Sequence, residues 1–351
     1  MMFQAKAVSP LRFATALHTG RCFVPELMQQ EDFRMSALRA GVAGVGHLGY
    51  HHARLYAAMD GVDLIGVADP DPERREKAAA DFGVPAFATV DELIAQGLDL
   101  VSVATPTTTH METALAFIAA GVHVLVEKPI AASLTEAETI VSAARARGVK
   151  VQVGHIERFN GAVLALSGAI GAPRFIECHR LSPYPGRGSD VSVVLDLMIH
   201  DLDIVLSLVG GAVASVDAVG VPVFSASEDI ANVRLRFDTG CVANLTSSRV
   251  SLERMRKIRI FEDNAYVSTD YSAQEVLVYR KEPGPVPEGV NPMERIRVEP
   301  LPVEKDEPLK LELAAFARAV RDNTAPVVSG EDGMRALALA EQITAQIWDN
   351  A

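Results

Sequence analysis

Three cysteines in 351 residues, Cys22, Cys178 and Cys241, are too few and too scattered for a disulfide framework. None belongs to a CxxC pair or to a Cys/His cluster at ligand spacing, so the sequence offers no metal site and a zinc-dependent alcohol dehydrogenase is set aside. The cysteine usage fits a reducing cytoplasm. Positive charge is also short. Against 45 Asp and Glu there are 33 Lys and Arg, a formal net charge of −12, which argues against nucleic acid or an anionic membrane as a general partner. An anionic small molecule stays open, because a few arginines can dominate a site within one Debye length. No long uninterrupted apolar run is present. The most apolar stretch, VVLDLMIHDLDIVLSLV (193–209), carries Asp196, His200, Asp201 and Asp203, too many ionisable groups for a membrane span. No internal repeat and no low-complexity linker occurs. What remains is an ordinary globular composition, 49% hydrophobic and 22% charged, long enough for two domains with more than one core.

An N-terminal extension, residues 1–38, precedes the patterned part. Its first 34 residues lack sustained periodicity and the apolar core of a signal peptide. They read as a disordered tail, or as sequence ahead of a natural start at Met35, since a strand follows directly from there. From Arg39 short apolar runs alternate with helical segments, the pattern of a parallel sheet with crossover helices. The run AGVAGVG leads through Gly44-Val45-Gly46-His47-Leu48-Gly49 into a helix, and the next strand, DLIGVAD, ends in Asp69. A lone G-x-G-x-x-G is weak evidence, but here it follows a strand, opens a helix and is trailed by an acidic residue near the expected separation of about 20. Gly44 permits the tight turn, Gly46 lets backbone amides approach a pyrophosphate, and Gly49 lets helix and strand pack closely. Asp69 can accept hydrogen bonds from an adenosine ribose and would repel a 2′-phosphate, so NAD is favoured over NADP despite Arg74 and Arg75 nearby. Further strands (LDLVSVATP, VHVLVEKP, VKVQVGH) and a capping box at Ser133–Glu136 complete a dinucleotide-binding domain over residues 39–155.

The apolar stretch raises its own question. Its length and the following Gly210-Gly211 suit a buried helix, on which Asp196, His200, Asp203 and Ser207 share one face while Asp201 lies off it. Buried charges have to be paired or face a wet cavity. A structural Asp–His bond in a core is the plain alternative to a site.

The glycine loop, Ala104-Thr105-Pro106 with His110, Glu127-Lys128-Pro129 and the Asp196–His200 spacing together resemble the glucose–fructose oxidoreductase/inositol dehydrogenase (Gfo/Idh/MocA) family, over essentially everything from Arg39 onward. The resemblance implies an NAD-linked oxidoreductase. Residues 39–155 would hold the cofactor, with Gly44, Gly46, His47, Leu48, Gly49, Asp69, Thr105, Pro106, His110, Glu127, Lys128 and Pro129 against it. Residues 156–351 would form an α+β domain for substrate and oligomerisation. It also implies that Lys128 sits beside the nicotinamide and the reacting hydroxyl, that Asp196 and His200 complete the catalytic set, and that the chain is a homodimer or homotetramer. The chemistry of the residues agrees. Oxidising an alcohol needs a base for the hydroxyl proton, and His has the suitable ordinary pKa. A lysine can stabilise the developing alkoxide, and an aspartate one turn before the histidine can orient it or hold a second hydroxyl. Spacing leaves open whether Lys128 or His200 takes the proton.

VGHIERFN (153–160) and VLDLMIHDLD (194–203) are similar to the branch acting on UDP-N-acetyl-hexosamines, the UDP-N-acetylglucosamine 3-dehydrogenases. This implies oxidation at C3 of the sugar, for amino-sugar assembly. Two departures stand out: the usual Arg-Phe-Asn-Pro ends in Gly161, and ATPN becomes Ala104-Thr105-Pro106-Thr107. A UDP-sugar needs donors for its diphosphate, and Arg158, Arg180 and Arg187 lie in segments able to supply them. A free polyol or aldose dehydrogenase of the inositol type needs none, and a non-catalytic NAD sensor would not need Lys128, Asp196 and His200 together. After a helix at Ala162–Ile170, alternating runs with turns at Asp238-Thr239-Gly240 and Glu262-Asp263-Asn264 predict an open mixed, mainly antiparallel sheet covered on one face. EPGPVPEGVNPM reads as an irregular connection, and two C-terminal amphipathic helices as packing back on the body.

Overall fold

The computed structural model describes residues 37–184 and 191–349. The expectations for residues 1–36, and for Arg187 within 185–190, lie outside the described residues.

Each apolar run of the first part becomes a parallel strand. The order along the chain is β1 (Leu38–Ala43), α1 (His47–Ala57), β2 (Val62–Ala68), α2 (Pro72–Phe82), β3 (Ala86–Phe87), α3 (Val90–Ile94), β4 (Leu100–Val103), α4 (His110–Ala119), β5 (His123–Glu127), α5 (Leu134–Arg147) and β6 (Val151–Gly154). All pairs are parallel, in the spatial order β3-β2-β1-β4-β5-β6. Helices cover both faces, which is why β4 and β6 are buried along their whole length and read as continuous rather than alternating patterns. The order reverses between β1 and β4, and at such a switch point the strand ends open a crevice for a ligand. Caps sit where the side chains demand. Asp71 caps α2, and Gly83 and Gly148 end α2 and α5 in the left-handed region. Ser133 caps α5 as expected, but Glu136 reaches back one residue further, accepting from the Ala132 amide at 3.1 Å, so the box is not reciprocal.

The second part contributes α6 (Gly161–Ser167), β7 (Phe175–Leu181), α7 (Ile199–Val209), β8 (Val213–Val221), β9 (Ile230–Phe237), β10 (Val242–Ser248), β11 (Met255–Phe261), β12 (Ala265–Asp270), β13 (Glu275–Lys281), β14 (Ile296–Pro300), α8 (Pro308–Arg321) and α9 (Gly330–Asp349). The sheet runs β14-β13-β12-β11-β7-β10-β9-β8, and only β7–β10 is parallel. Period-two alternation is clear in β9, where Ala231, Val233, Leu235 and Phe237 turn inward. They join Ile176, Leu245, Ile258 and Val267 in a core shared with Met198, Leu202 and Val205 and with Leu339 and Ile343 of α9. Full burial of each such side chain is worth roughly 1.5–3 kcal/mol, enough to clamp α7 on the sheet. Both expected turns are present: Gly240 has φ +85°, and the Glu262 amide donates to Ala265 O at 2.8 Å. Two expectations shift. The helix after the IERF segment is Gly161–Ser167 instead of Ala162–Ile170. The proline-rich connection is followed by an unforeseen edge strand, β14, whose residues are almost all exposed and so carry no alternation. The helix α8 returns to the first sheet, where Leu309, Leu313 and Phe316 share a core with Ala53 and Tyr56 of α1.

Candidate active site

The glycine loop is built as its spacing requires. Gly44 has φ +82° and lies so close to the β4 end that a Cβ would stand 2.7 Å from Ala104 O, while a Cβ on Gly49 would overlap the Gly44 carbonyl. Above Gly46 there is open space: nothing lies within 4 Å of a Cβ there. No side chain caps the start of α1, so the first amides of that helix, free of intrahelical partners, suit an anion. A cleft of 380 Å³ beside the loop is lined by Gly46, His47, Tyr50, His51, Arg74 and Lys77, and Leu48 of the loop is 45% exposed. The buried Thr105 Oγ1 has no partner in the protein. Open backbone, uncapped amides and an orphaned hydroxyl fit a dinucleotide laid across the loop. Asp69 holds the loop itself: Oδ2 accepts from the Val45 amide and Oδ1 from the Asp71 amide, both at 2.9 Å. Both of its oxygens are thus engaged within the protein, while Arg75 turns inward to the carbonyls of Asp69 and Pro70.

Two residues expected against the cofactor are instead internal. His110 is buried between Pro129 O (3.0 Å) and Thr105 O (2.9 Å), pinning the segment after β5 to the segment after β4. Burial pushes its pKa down despite the two carbonyls, and a neutral ring can donate to only one of them. Glu127 is buried against His52 Nε2 at 2.9 Å. Burial alone would raise its pKa, but His52 and Lys128 outweigh that and hold it below the ordinary value. Both residues carry the backbone that aims Lys128, because side chains of adjacent strand residues point to opposite faces.

At the end of β5, the Lys128 Nζ donates to Asp196 O at 2.8 Å and to Asp196 Oδ1 at 3.2 Å. Asp196 is not on a regular α-helix. Residues Val194–Met198 form a π-helical turn before α7 begins. The wider turn breaks the expected single polar face. Asp196 faces Lys128, His200 is half-buried, Asp203 is buried with Oδ1 3.3 Å from Arg158, and Ser207 bonds the Ile204 carbonyl of its own helix. The pKa of His200 is held well below the ordinary histidine value, first by burial and then by Lys128, Arg180 and His155. The ring is therefore neutral and able to accept a proton at neutral pH. Rotation onto the other side of the helix gives Asp201, off the polar stripe, to Arg180.

Arg180 is the clearest correction among the residues expected to bind a diphosphate. Its Nε and Nη2 donate to the two Asp201 oxygens at 2.8 and 2.9 Å, its Nη1 donates to Glu157 at 2.9 Å, and the residue is 3% exposed. It ties β7, α7 and the turn after β6 together and has no face left for a phosphate. Arg158 is partly free, 17% exposed beside Asp203. The departure at Gly161 has a local reason, since a Cβ there would overlap the Glu304 carbonyl.

The profile of the oxidoreductase family with an NAD-binding Rossmann fold (GFO/IDH/MocA) matches residues 38–155, and that of the GFO/IDH/MocA C-terminal domain matches 163–268. A UDP-N-acetylglucosamine 3-dehydrogenase of Acidithiobacillus ferrooxidans is 38% identical over 310 residues, covering 88% of this chain and 97% of its own. The chain belongs to the GFO/IDH/MocA oxidoreductase family. The solved structure of the Acidithiobacillus protein superposes with a TM-score of 0.83 over the same shares of the two chains. A myo-inositol 2-dehydrogenase of Thermotoga maritima is 28% identical over 320 residues, 86% of this chain and 94% of its own. As a GFO/IDH/MocA oxidoreductase the chain uses NAD. No helix among the described residues is long and apolar enough to cross a membrane.

Membership in the GFO/IDH/MocA family does not by itself single out His155, which sequence reasoning passed over. It directly follows β6, is 1% exposed, and meets His200 edge to face with ring centroids 6.4 Å apart. The available signal was its place at the end of the last strand of the first sheet, where ligand crevices open. Glu157 and His52 were likewise invisible, because each matters only through a partner distant in sequence.

Proposed function

We propose that the chain oxidises a secondary sugar hydroxyl to a ketone with NAD, most specifically C3 of a UDP-N-acetyl-hexosamine. The contact of Lys128 with Asp196 beside the neutral His200 carries this reading, since it joins an alkoxide-stabilising cation to a base at the cofactor end of the first sheet. The 38% identity to a UDP-N-acetylglucosamine 3-dehydrogenase over most of both chains supports the substrate class. Bound NAD supplies the hydride acceptor. Lys128 donates to the reacting oxygen and favours its anionic form, Asp196 holds Lys128 and a neighbouring hydroxyl, and His200 takes the hydroxyl proton. The lowered His200 pKa sets the acid limb of kcat below pH ~6.5, the ordinary histidine value; a limb above that in the pH–rate profile would rule His200 out as the base.

A free polyol substrate of the inositol type is the second reading. It is favoured by the internal commitment of Arg180, which removes one expected phosphate ligand. The test is formation of reduced nicotinamide with UDP-N-acetylglucosamine, UDP-N-acetylgalactosamine, UDP-glucose, glucose and myo-inositol, with a carbonyl trap present. Signal confined to the N-acetylated UDP-sugars supports C3 oxidation, and signal with inositol or glucose moves the substrate. Silence with all five, with NAD shown to bind, moves the reading to a non-catalytic NAD sensor.

Assembly as a homodimer or homotetramer in the cytoplasm belongs to the same proposal. The outer face of the second sheet carries a stacked ladder of Phe261, Tyr266 and Tyr279, with centroids 4.7 and 4.9 Å apart, beside the 68%-exposed Met293. Such a patch suits a second copy. Sedimentation equilibrium is expected to give a dimer or tetramer and Tyr266→Glu a monomer; a monomeric wild type would end this part of the proposal.

A further inference from the structure

We propose that His155 relays the hydroxyl proton from His200 to Asp203, resetting His200 as a base while product and reduced cofactor still fill the site. The inference rests on His200 being the base in the reaction above. Its ground is a run of unpartnered polar atoms in three neighbouring side chains. Neither ring nitrogen of His155, nor His200 Nδ1, nor Asp203 Oδ2 has a hydrogen-bond partner in the protein, and all four atoms are buried. A structural core histidine is expected to satisfy at least one nitrogen, because an unmet buried polar atom is costly. Here three nitrogens and a carboxylate oxygen are left unmet together. The two rings stand at 89° in edge-to-face contact, and the proposed transfer between them requires one bridging water. The far oxygen of Asp203 is already held by Arg158 at 3.3 Å, which fixes the carboxylate and leaves Oδ2 as the receiving atom.

The surrounding charges give the relay its direction. Around His155 lie Lys128 and Glu127 from β5, Arg158 from the turn after β6, and Asp203 from α7. Around His200 lie Lys128, Arg180 from β7, Arg256 from β11 and His155. Burial first, and then the cations, push both imidazole pKa values down, against the opposite pull of Asp203 and Glu127 on His155. Burial instead pushes the Asp203 carboxyl up, so a proton rests there more easily. Asp332 on α9, within electrostatic reach of Asp203, adds to the upward push on that carboxyl.

The proton count closes. The substrate O–H bond breaks and an N–H forms at His200 Nε2. The Nδ1 proton of His200 passes to one nitrogen of His155, the proton on the opposite nitrogen of His155 passes to Asp203 Oδ2, and both rings end neutral. Only protons move along the relay, the electron pair having left with the hydride. Ring reorientation restores the tautomers before the next turnover.

The test pairs His155→Phe with His155→Gln, whose amide keeps hydrogen bonding but cannot shuttle a proton. Both should lower steady-state kcat roughly 10²-fold with KM little changed, keep a first-turnover burst of reduced nicotinamide, and recover with added imidazole. A second readout needs no cofactor. Histidine ring-carbon NMR of the protein alone should show the His200 titration shifting when His155 is replaced. Wild-type kcat in both variants together with an unmoved His200 titration would overturn the relay. If His200→Gln is inactive in that case, the relay alone has failed; if His200→Gln turns over at the wild-type rate, the base assignment has failed with it.

Discussion

Lys128→Ala is expected to lower kcat by ~10²–10⁴-fold while leaving NAD affinity within a few-fold of wild type. The separation of the two effects follows from the geometry. The glycine loop and the uncapped start of α1 would hold the cofactor's phosphates, whereas Lys128 Nζ is turned toward Asp196. Removing the ammonium takes away the charge that favours an alkoxide, a contribution largest where water is scarce, and Lys128 has only 18% of its side chain exposed. Asp196 then loses its partner but is 39% exposed and stays solvated, so little stability is lost. Asp196→Ala should reduce kcat less, because Lys128 keeps its bond to the Asp196 backbone carbonyl. The measurements are steady-state turnover on the reactive panel substrate and NAD binding by calorimetry. A Lys128→Ala enzyme within ten-fold of wild type would sink the proposed role, and one that no longer binds NAD would reassign the residue to the cofactor.

Arg180→Met is expected to lower unfolding stability by about 3–5 kcal/mol, the usual loss when one partner of a buried ion pair is removed. The cost lies in what remains. Asp201 and Glu157 would be left with buried carboxylates facing a thioether, and Asp201 is only 2% exposed. The guanidinium's pKa is raised by these two carboxylates in spite of a burial penalty that acts the other way, which marks a cation held in place by its partners. Arg158→Met should cost less, since that arginine makes one long contact to Asp203 and keeps some solvent. Urea unfolding of the two variants checks the order. If Arg180→Met unfolds like wild type but raises KM for a UDP-sugar while leaving small polyols unaffected, Arg180 reaches the diphosphate after all and the internal assignment is wrong.

The sequence by itself determined the elements of the first domain, the place of the dinucleotide loop and the character of the second sheet, and it offered Lys128, Asp196 and His200 as candidates. These rest on short-range physics. A glycine at positive φ, a strand buried on both faces or a capped helix leaves its mark within a few residues, and a resemblance in ordered motifs adds to it. What only the tertiary structure decided is the partner of each buried charge. Arg158 and Arg180 look alike along the chain, yet one keeps a partly exposed edge and the other is sealed between Asp201 and Glu157, because the crossing of β7 with α7 sets which carboxylate lies within reach. His110 and Glu127 stand in the expected motif but turn inward to Pro129 and His52. The π-helical turn at Val194–Met198 left no trace in the spacing, since its neighbours, β10, α9 and Lys128, are distant in sequence. For the same reason His155, silent in the sequence, acquires meaning only once β6 and α7 bring its ring against His200. Local pattern chooses the elements; the packing of elements distant in sequence chooses which polar atoms are satisfied.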